Sequence, residues 1–362
     1  MTIFVRRPML RWLVPLLTVV LLAAAGSAVA AIGASASGSL PPRTAAQLLA
    51  DVQQAQVDGL SGTVVQTADL GLPELPGIGG GQSSSFNSLV SGSHTLRVWY
   101  DGPQRARIAL LGQLGESDAI RNGSDLWIWS SHDNTAQHFT VPADSGEQPA
   151  MGAAPEQPMT PQQAADRALK AITPSTRVTT AATAQVAGRS AYELVLEPRD
   201  PATLVGSVRI AIDGATHIPT RVQVFARGAT TPSLEVGFTS FDPSPPSSSV
   251  FAFNPPPGAK VTDGTSSNDG TGAPGTRGDH AGNGNAPEVV GSGWTSVVTA
   301  TLPSRPTGTM AAAVRALPEV SGSWGTGHLL HGTLFSVLVT DDGHVAAGAV
   351  APERLYAALA TK

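Results

Sequence analysis

The sequence predicts an α+β fold in which a curved antiparallel sheet, covered on one side, is followed by a smaller α+β unit. Three observations carry this reading. Between residues 60 and 241 short segments alternate apolar and polar residues with the period of two that a half-buried strand requires. Turn pairs such as Asp101-Gly102, Asn122-Gly123, Asp213-Gly214 and Arg227-Gly228 punctuate those segments. A stretch dominated by Gly, Thr, Ser, Asn and Asp, residues 262–290, then separates residues 291–362 from the rest as a flexible linker.

The composition narrows the function classes. At 362 residues and 41% hydrophobic the chain can bury a substantial core. Only 14% of residues are charged, so the surface is polar mainly through Ser, Thr, Gln and Asn. A net charge of -5 without a basic aromatic patch argues against nucleic-acid binding. The absence of cysteine excludes disulfides, thiolate metal sites, a cysteine nucleophile and the lipidated N-terminal cysteine of a bacterial lipoprotein.

Residues 1–34 read as a signal peptide or an N-terminal membrane anchor. Arg6, Arg7 and Arg11 precede an uncharged run over residues 12–32. Ala28-Val29-Ala30 suits cleavage, whereas the span over residues 12–34 is long enough to cross a bilayer if retained. Either way the basic flank keeps the N-terminus in the cytoplasm and sends the remainder outside. Residues around Arg6-Arg7 do not complete a twin-arginine motif.

The elements follow in order. Residues 42–57 predict a helix opened by Pro42, with Ala45, Leu48, Leu49, Val52 and Ala55 on one side and Asp58-Gly59 ending it. A Val- and Thr-rich strand spans 60–68, and an apolar loop with Leu70, Leu72, Leu75 and Ile78 follows as a candidate gate. Strands are expected over 94–100, 105–111, 114–121, 125–130 and 135–141 as a meander. After a Pro-, Gly- and Ala-rich connection, Thr160-Pro161 starts a helix reaching residue 171. A second strand series covers 175–186, 190–197, 204–212, 219–226 and 233–241. The last unit is read as strand 295–301, helix 309–317, strands 332–340 and 344–349 and helix 352–359, with a limited core of its own.

Three phrases carry a family resemblance: His94-Thr95-Leu96-Arg97-Val98-Trp99-Tyr100-Asp101-Gly102, Asn122-Gly123-Ser124-Asp125-Leu126-Trp127-Ile128-Trp129 and Ile218-Pro219-Thr220-Arg221-Val222. With the order of signal, helix, strand, loop and antiparallel strands, residues 42–261 resemble the LolA and RseB superfamily of bacterial envelope proteins. The C-terminal unit, with Leu334-Phe335-Ser336-Val337-Leu338-Val339 ahead of Asp341-Asp342-Gly343, resembles the second domain of RseB-type anti-sigma regulators. The resemblance implies an incomplete antiparallel β-barrel wrapped over helices, with an apolar cavity for acyl chains. It also implies noncatalytic carriage of lipid or lipoprotein, or, as the alternative, binding of a membrane anti-sigma factor to sense envelope stress. A structural envelope protein with a solid core is the remaining option.

No segment supplies a nucleotide-binding, zinc-protease or serine-hydrolase fingerprint. Gly115-Glu116-Ser117-Asp118 lacks the second glycine of a nucleophile elbow. His132, Asp133 and His138 read as turn and strand-edge residues, and the glycines around His328 and His331 favour a loop. No enzyme activity, metal or cofactor is therefore expected. The candidate ligand-lining residues are Val64, Leu72, Leu75, Leu96, Val98, Ile108, Leu110, Trp127, Trp129, Ile210, Val222, Val224, Val236 and Phe238, of which Leu72 and Leu75 belong to the gate and the others are core residues first and cavity wall second. Trp127 and Trp129 share one strand face, opposite Leu126 and Ile128, so one of these pairs must meet helix, loop or ligand.

Overall fold

The computed structural model describes residues 40–73, 86–113, 115–141, 173–263, 287–302 and 308–360. The expected signal or anchor, Leu75 with most of the candidate gate, the helix over 160–171 and most of the linker lie outside the described residues. No helix among the described residues is long and apolar enough to cross a membrane.

Helix α1, Ala45–Gln54, starts three residues later than Pro42 suggests. The Thr44 hydroxyl accepts from the Gln47 amide at 3.2 Å, and the Gln47 side chain accepts from the Thr44 amide at 2.9 Å. This reciprocal box satisfies two amides that a proline start would leave open, so it decides the boundary. Thr44→Ala is expected to lower stability by about 1 kcal/mol, read as a shifted urea midpoint at unchanged slope. One face of α1 presents Leu48, Leu49 and Val52, with Leu40, to Tyr192, Leu194 and Ile212.

The large sheet contains β1 (Leu60–Ala68), β2 (Gly92–Tyr100), β3 (Arg105–Gly112), β4 (Gly115–Asn122), β5 (Asp125–Ser130) and β6 (Thr135–Thr140). It continues through β7 (Thr176–Val186), β8 (Arg189–Pro198), β9 (Val205–Asp213), β10 (Pro219–Ala226), β11 (Leu234–Asp242) and β12 (Lys260–Asp263). The strand order is β12-β6-β5-β4-β3-β2-β1-β11-β10-β9-β8-β7. Only β12 and β6 run parallel, joined by the long crossover through β7 to β11, and the remaining ladders of this sheet are antiparallel.

The expected incomplete barrel is not formed. The sheet is open, with β12 and β7 as separate edges and no ladder among the described residues joining them. Alternation specifies two faces, but closure depends on a strand tilt and shear that no local pattern encodes. The tip of the β7–β8 hairpin leans over β11, with Val186 and Ala187 near Phe238, without adding hydrogen-bonded pairing. Ala187 and Gly188 both have positive φ, 51° and 73°, the backbone of a tight two-residue hairpin turn.

The second sheet has the order β13-β14-β18-β17-β16-β15. Its strands are β13 (Glu288–Val290), β14 (Val297–Thr301), β15 (Glu319–Gly322), β16 (Gly325–His331), β17 (Ser336–Thr340) and β18 (His344–Gly348). Helix α2 is Gly308–Arg315 and helix α3 is Pro352–Ala360. Leu355, Ala358 and Leu359 of α3 pack on Val297, Leu338 and Ala346, and Tyr356 stacks on Trp324 at 5.4 Å. His328 and His331 lie on a strand, correcting the expected loop. A Cβ at Gly327 would sit 2.5 Å from the Val339 carbonyl, so this glycine permits close approach inside the sheet and does not mark a turn.

The sheets meet along a polar seam. Thr203 pairs with Val350, and the Leu204 amide donates to the Ala349 carbonyl at 2.8 Å. The Thr333 amide donates to the Leu70 carbonyl at 2.8 Å, and Trp294 Nε1 donates to Thr176 Oγ1 at 2.7 Å.

Candidate functional site

Register shows how the expected lining residues are arranged. Leu96 opposes both Val64 and Leu110, and Val98 opposes Ile108. Val64 opposes Phe238 across β11, and Val222 opposes both Val236 and Ile210. Directly opposed residues share a sheet face. Val64, Leu96, Val98, Ile108, Leu110, Ile210, Val222, Val224, Val236 and Phe238 therefore form one apolar face running from β3 to β9.

That face is covered at two places. Val57, with Phe86 and Leu89 of the 3-10 turn Phe86–Val90, covers the cluster around Leu60, Val64, Leu96, Val98 and Leu110. The buried Gln66 donates to the Leu89 carbonyl at 3.1 Å and ties this turn to β1. Helix α1 covers the other cluster. Between them Val222 and Val224 belong to neither cluster and stay half-buried, as do Ile210, Val236 and Phe238 at the cluster borders.

Trp127 and Trp129 lie on the opposite face. Trp127 opposes the fully buried Ile120, and Trp129 opposes Asp118. The register from Leu110 through Ser117 to Ser130 places Ile128, not the tryptophans, on the apolar face. The indole pair meets a loop: Phe253, just after the 3-10 turn Ser248–Phe251, lies 5.3 Å from Trp127 and 6.0 Å from Trp129. His138 stacks on Trp127 at 4.4 Å and bonds to Asp125 at 2.7 Å. Leu72 lies apart from both faces, near Gly332 just after β16.

Sequence reasoning missed the charged groups on the tryptophan face. Arg107 Nη2 donates to Asp118 at 2.6 Å and to Glu116 at 3.4 Å, and its Nη1 donates to the Val250 carbonyl at 3.2 Å. Its guanidinium also lies 5.4 Å from the Trp99 ring centre. Burial, opposed by Arg107 and reinforced by Glu116, pushes the Asp118 carboxyl up to about 7. The signal lay in register: Arg107 and Asp118 are one diagonal step apart across the β3–β4 ladder. Further along the same face Glu193 faces Arg209 at 3.6 Å and Arg221 at 3.5 Å.

Two open grooves occur among the described residues. One of about 500 Å³ lies between the hairpin tip Gln185 to Gly188 and Val65, Arg221, Glu235 and Phe238. The other, about 490 Å³, lies at the seam between Ser175, Arg199, Asp200, Trp294 and Thr295. Of the expected lining residues, Phe238 alone borders either groove. No three His, Asp or Glu side chains among the described residues are placed to hold a metal ion, and His328 and His331, three apart on one strand, point to opposite faces.

No family model matches the chain, and no curated protein matches it. Among solved structures, the MucA/MucB complex of Pseudomonas aeruginosa is 13% identical with a TM-score of 0.43, covering 87% of this chain and 94% of that one. A crystal structure of MucB is 14% identical with a TM-score of 0.40, covering 88% and 96% respectively. A LolA superfamily protein from Nitrosomonas europaea is 13% identical with a TM-score of 0.20, covering 59% of this chain and 99% of that one. These are likenesses of structure at low sequence identity, and no residue's role is carried over from them.

Proposed function

We propose that this chain is a noncatalytic binding protein of the bacterial cell envelope that acts as a regulator by engaging a membrane anti-sigma partner outside the cytoplasm. The supporting observation is the form of its grooves. Both are open; the seam groove is bordered by Ser175, Arg199, Asp200 and Thr295, and the other combines Arg221 and Glu235 with the apolar Val65, Val186 and Phe238. Such surfaces suit a polypeptide, whose amides and side chains offer matching hydrogen bonds, better than an acyl chain. The two-unit plan and the uncharged N-terminal span fit a protein held near a membrane partner.

A second reading, binding of lipid or lipoprotein acyl chains, is favoured by the half-buried strip of Ile210, Val222, Val224, Val236 and Phe238. Apolar area removed from water would drive it at about 25 cal/mol per Å². Native mass spectrometry of the full chain, expressed in a bacterial envelope and extracted gently, separates the two. A stoichiometric membrane protein with a sigma-binding cytoplasmic part supports the first reading, and a stoichiometric lipid supports the second. A chain that retains neither, and takes up neither when offered, overturns both. Val224→Asp is expected to lower uptake of a lysophospholipid probe by about tenfold or more, because a carboxylate would have to be desolvated on the strip, while leaving partner capture unchanged.

A further inference from the structure

The outermost strand of a sheet has no ladder partner on one side, and folded chains guard such edges by keeping them short or charged. Among the described residues the edge strands are β12, β7, β13 and β15. Three of them are guarded. β12 has four residues and carries Lys260 and Asp263, β13 has three and carries Glu288, and β15 has four and carries Glu319. β7 has 11 residues, about 37 Å at the usual rise, and its single charged residue, Arg177, is paired with Glu197 at 3.4 Å. Residues 178–186 are uncharged and rich in Val, Thr and Ala, and residues 179–183 are all exposed.

The hydrogen-bond frame shows which groups this edge offers. The Arg199 amide donates to the Ser175 carbonyl at 2.9 Å, so these two residues form a hydrogen-bonded pair, and the register continues unbroken to Ala181. Such pairs alternate in an antiparallel ladder. Arg177 and Thr179 therefore turn their amides and carbonyls toward β8, whereas Val178 and Thr180 turn theirs outward. No ladder among the described residues takes up those outward groups. A bulge between Ala181 and Ala184 bends the strand only after Thr180. The two open grooves lie at the ends of β7. Ser175 borders the seam groove with Arg199 and Asp200, and Gln185 and Val186 border the other with Arg221 and Glu235. Each groove brings a cation and an anion to one end of an uncharged edge.

We propose that the outer edge of β7 is a strand-addition site, which takes an extended, uncharged, β-prone segment of the partner polypeptide whose charged flanks enter the two grooves. The proposal rests on the partner reading for the chain that supplies the segment. Main-chain bonds to Val178 and Thr180 hold the added strand, and the grooves fix its two ends.

Hydrogen exchange of the full chain reads this edge directly. The probe is a synthetic peptide as long as β7, alternating Thr and Val between a terminal Lys and a terminal Glu, and N-methylated along one edge so that it cannot stack on itself. In the free chain the Val178 and Thr180 amides should exchange openly, while those of Arg177 and Thr179 are protected. Saturating peptide should raise protection at Val178 and Thr180 by about tenfold or more, the scale of one added hydrogen bond. The peptide methylated along both edges should change nothing. Thr180→Pro removes an outward donor without touching the β8 ladder, so it should weaken peptide binding by about tenfold or more at an unchanged urea midpoint. Thr180→Val should bind as the parent does. An absent rise in protection, or binding that survives in Thr180→Pro or with the fully methylated peptide, overturns the proposal. So does protection of Val178 and Thr180 in the free chain, which assigns the edge to a second copy if dilution removes it and to this chain's own residues if dilution does not. Coexpression separates the partner reading from the edge site. A membrane partner captured equally by Thr180→Pro overturns strand addition and leaves that reading standing, whereas peptide binding with no partner captured supports the edge site and counts against the reading.

Discussion

Phe251→Ala is expected to lower unfolding stability by about 3–5 kcal/mol, the cost of removing a fully buried aromatic side chain and leaving a cavity. Phe251 is 0% exposed and belongs to a four-residue turn with little hydrogen bonding of its own, so its ring is the main apolar anchor of the segment that follows β11. The loss should appear as a lower urea midpoint followed by tryptophan fluorescence, since Trp127 and Trp129 lie against Phe253 of the same segment. Phe251→Leu should cost distinctly less, because more of the volume is kept. A loss below about 1 kcal/mol for the alanine variant would show that the turn is not a packed part of the fold.

Asp213→Ala should be nearly as damaging, at about 2–4 kcal/mol, because it removes the acceptor of five hydrogen bonds, including those from Arg189, whose side chain is 33% exposed. Asp213 is 1% exposed and accepts from Arg189 Nε at 2.6 Å and Nη2 at 2.9 Å. It also accepts from the Thr216 amide at 2.8 Å, the Thr216 hydroxyl at 2.9 Å and the Ala215 amide at 3.2 Å. One carboxylate thus organises the β9–β10 turn, in which His217 takes a positive φ of 58°, and ties it to the start of β8. Asp213→Asn should lose less, since the amide oxygen can still accept from the turn.

The two buried aspartates respond to pH with opposite signs. Burial alone would raise the Asp213 carboxyl, but hydrogen bonds from Arg189 and Thr216 outweigh it and hold the group below the usual carboxylate range. Its stabilisation is present above the ordinary value near ~3.9 and is lost as pH falls through the lowered native value. Asp118 is raised in the folded chain, so its contribution is complete at acid pH and is lost as pH rises through about 7. Urea titrations from pH 3 to 8 should show Asp213→Ala flattening the acid limb and Asp118→Asn flattening the neutral one.

The sequence by itself determined where most strands run. The ranges 60–68, 125–130 and 219–226 coincide with β1, β5 and β10, because alternation and turn residues are local signals that act within a few residues. Membership of the apolar face was legible for the same reason in each strand taken alone. The parity between distant strands was not. Whether Trp127 joins Val98 on one face or turns away from it depends on consecutive ladders between β2 and β5, and one slipped residue in any of them would invert the answer. The start of α1 turned on a side-chain box at Thr44 and Gln47 that a proline nearby concealed. Gly327 of β16 read as loop until the approach of β17 supplied its purpose. Only the tertiary structure decided that the large sheet stays open, that the segment after β11 covers the tryptophans and that Arg107 meets Asp118 on the same face. Each of these depends on segments far apart in the chain meeting at a particular register and tilt, and periodicity along one segment carries no information about either.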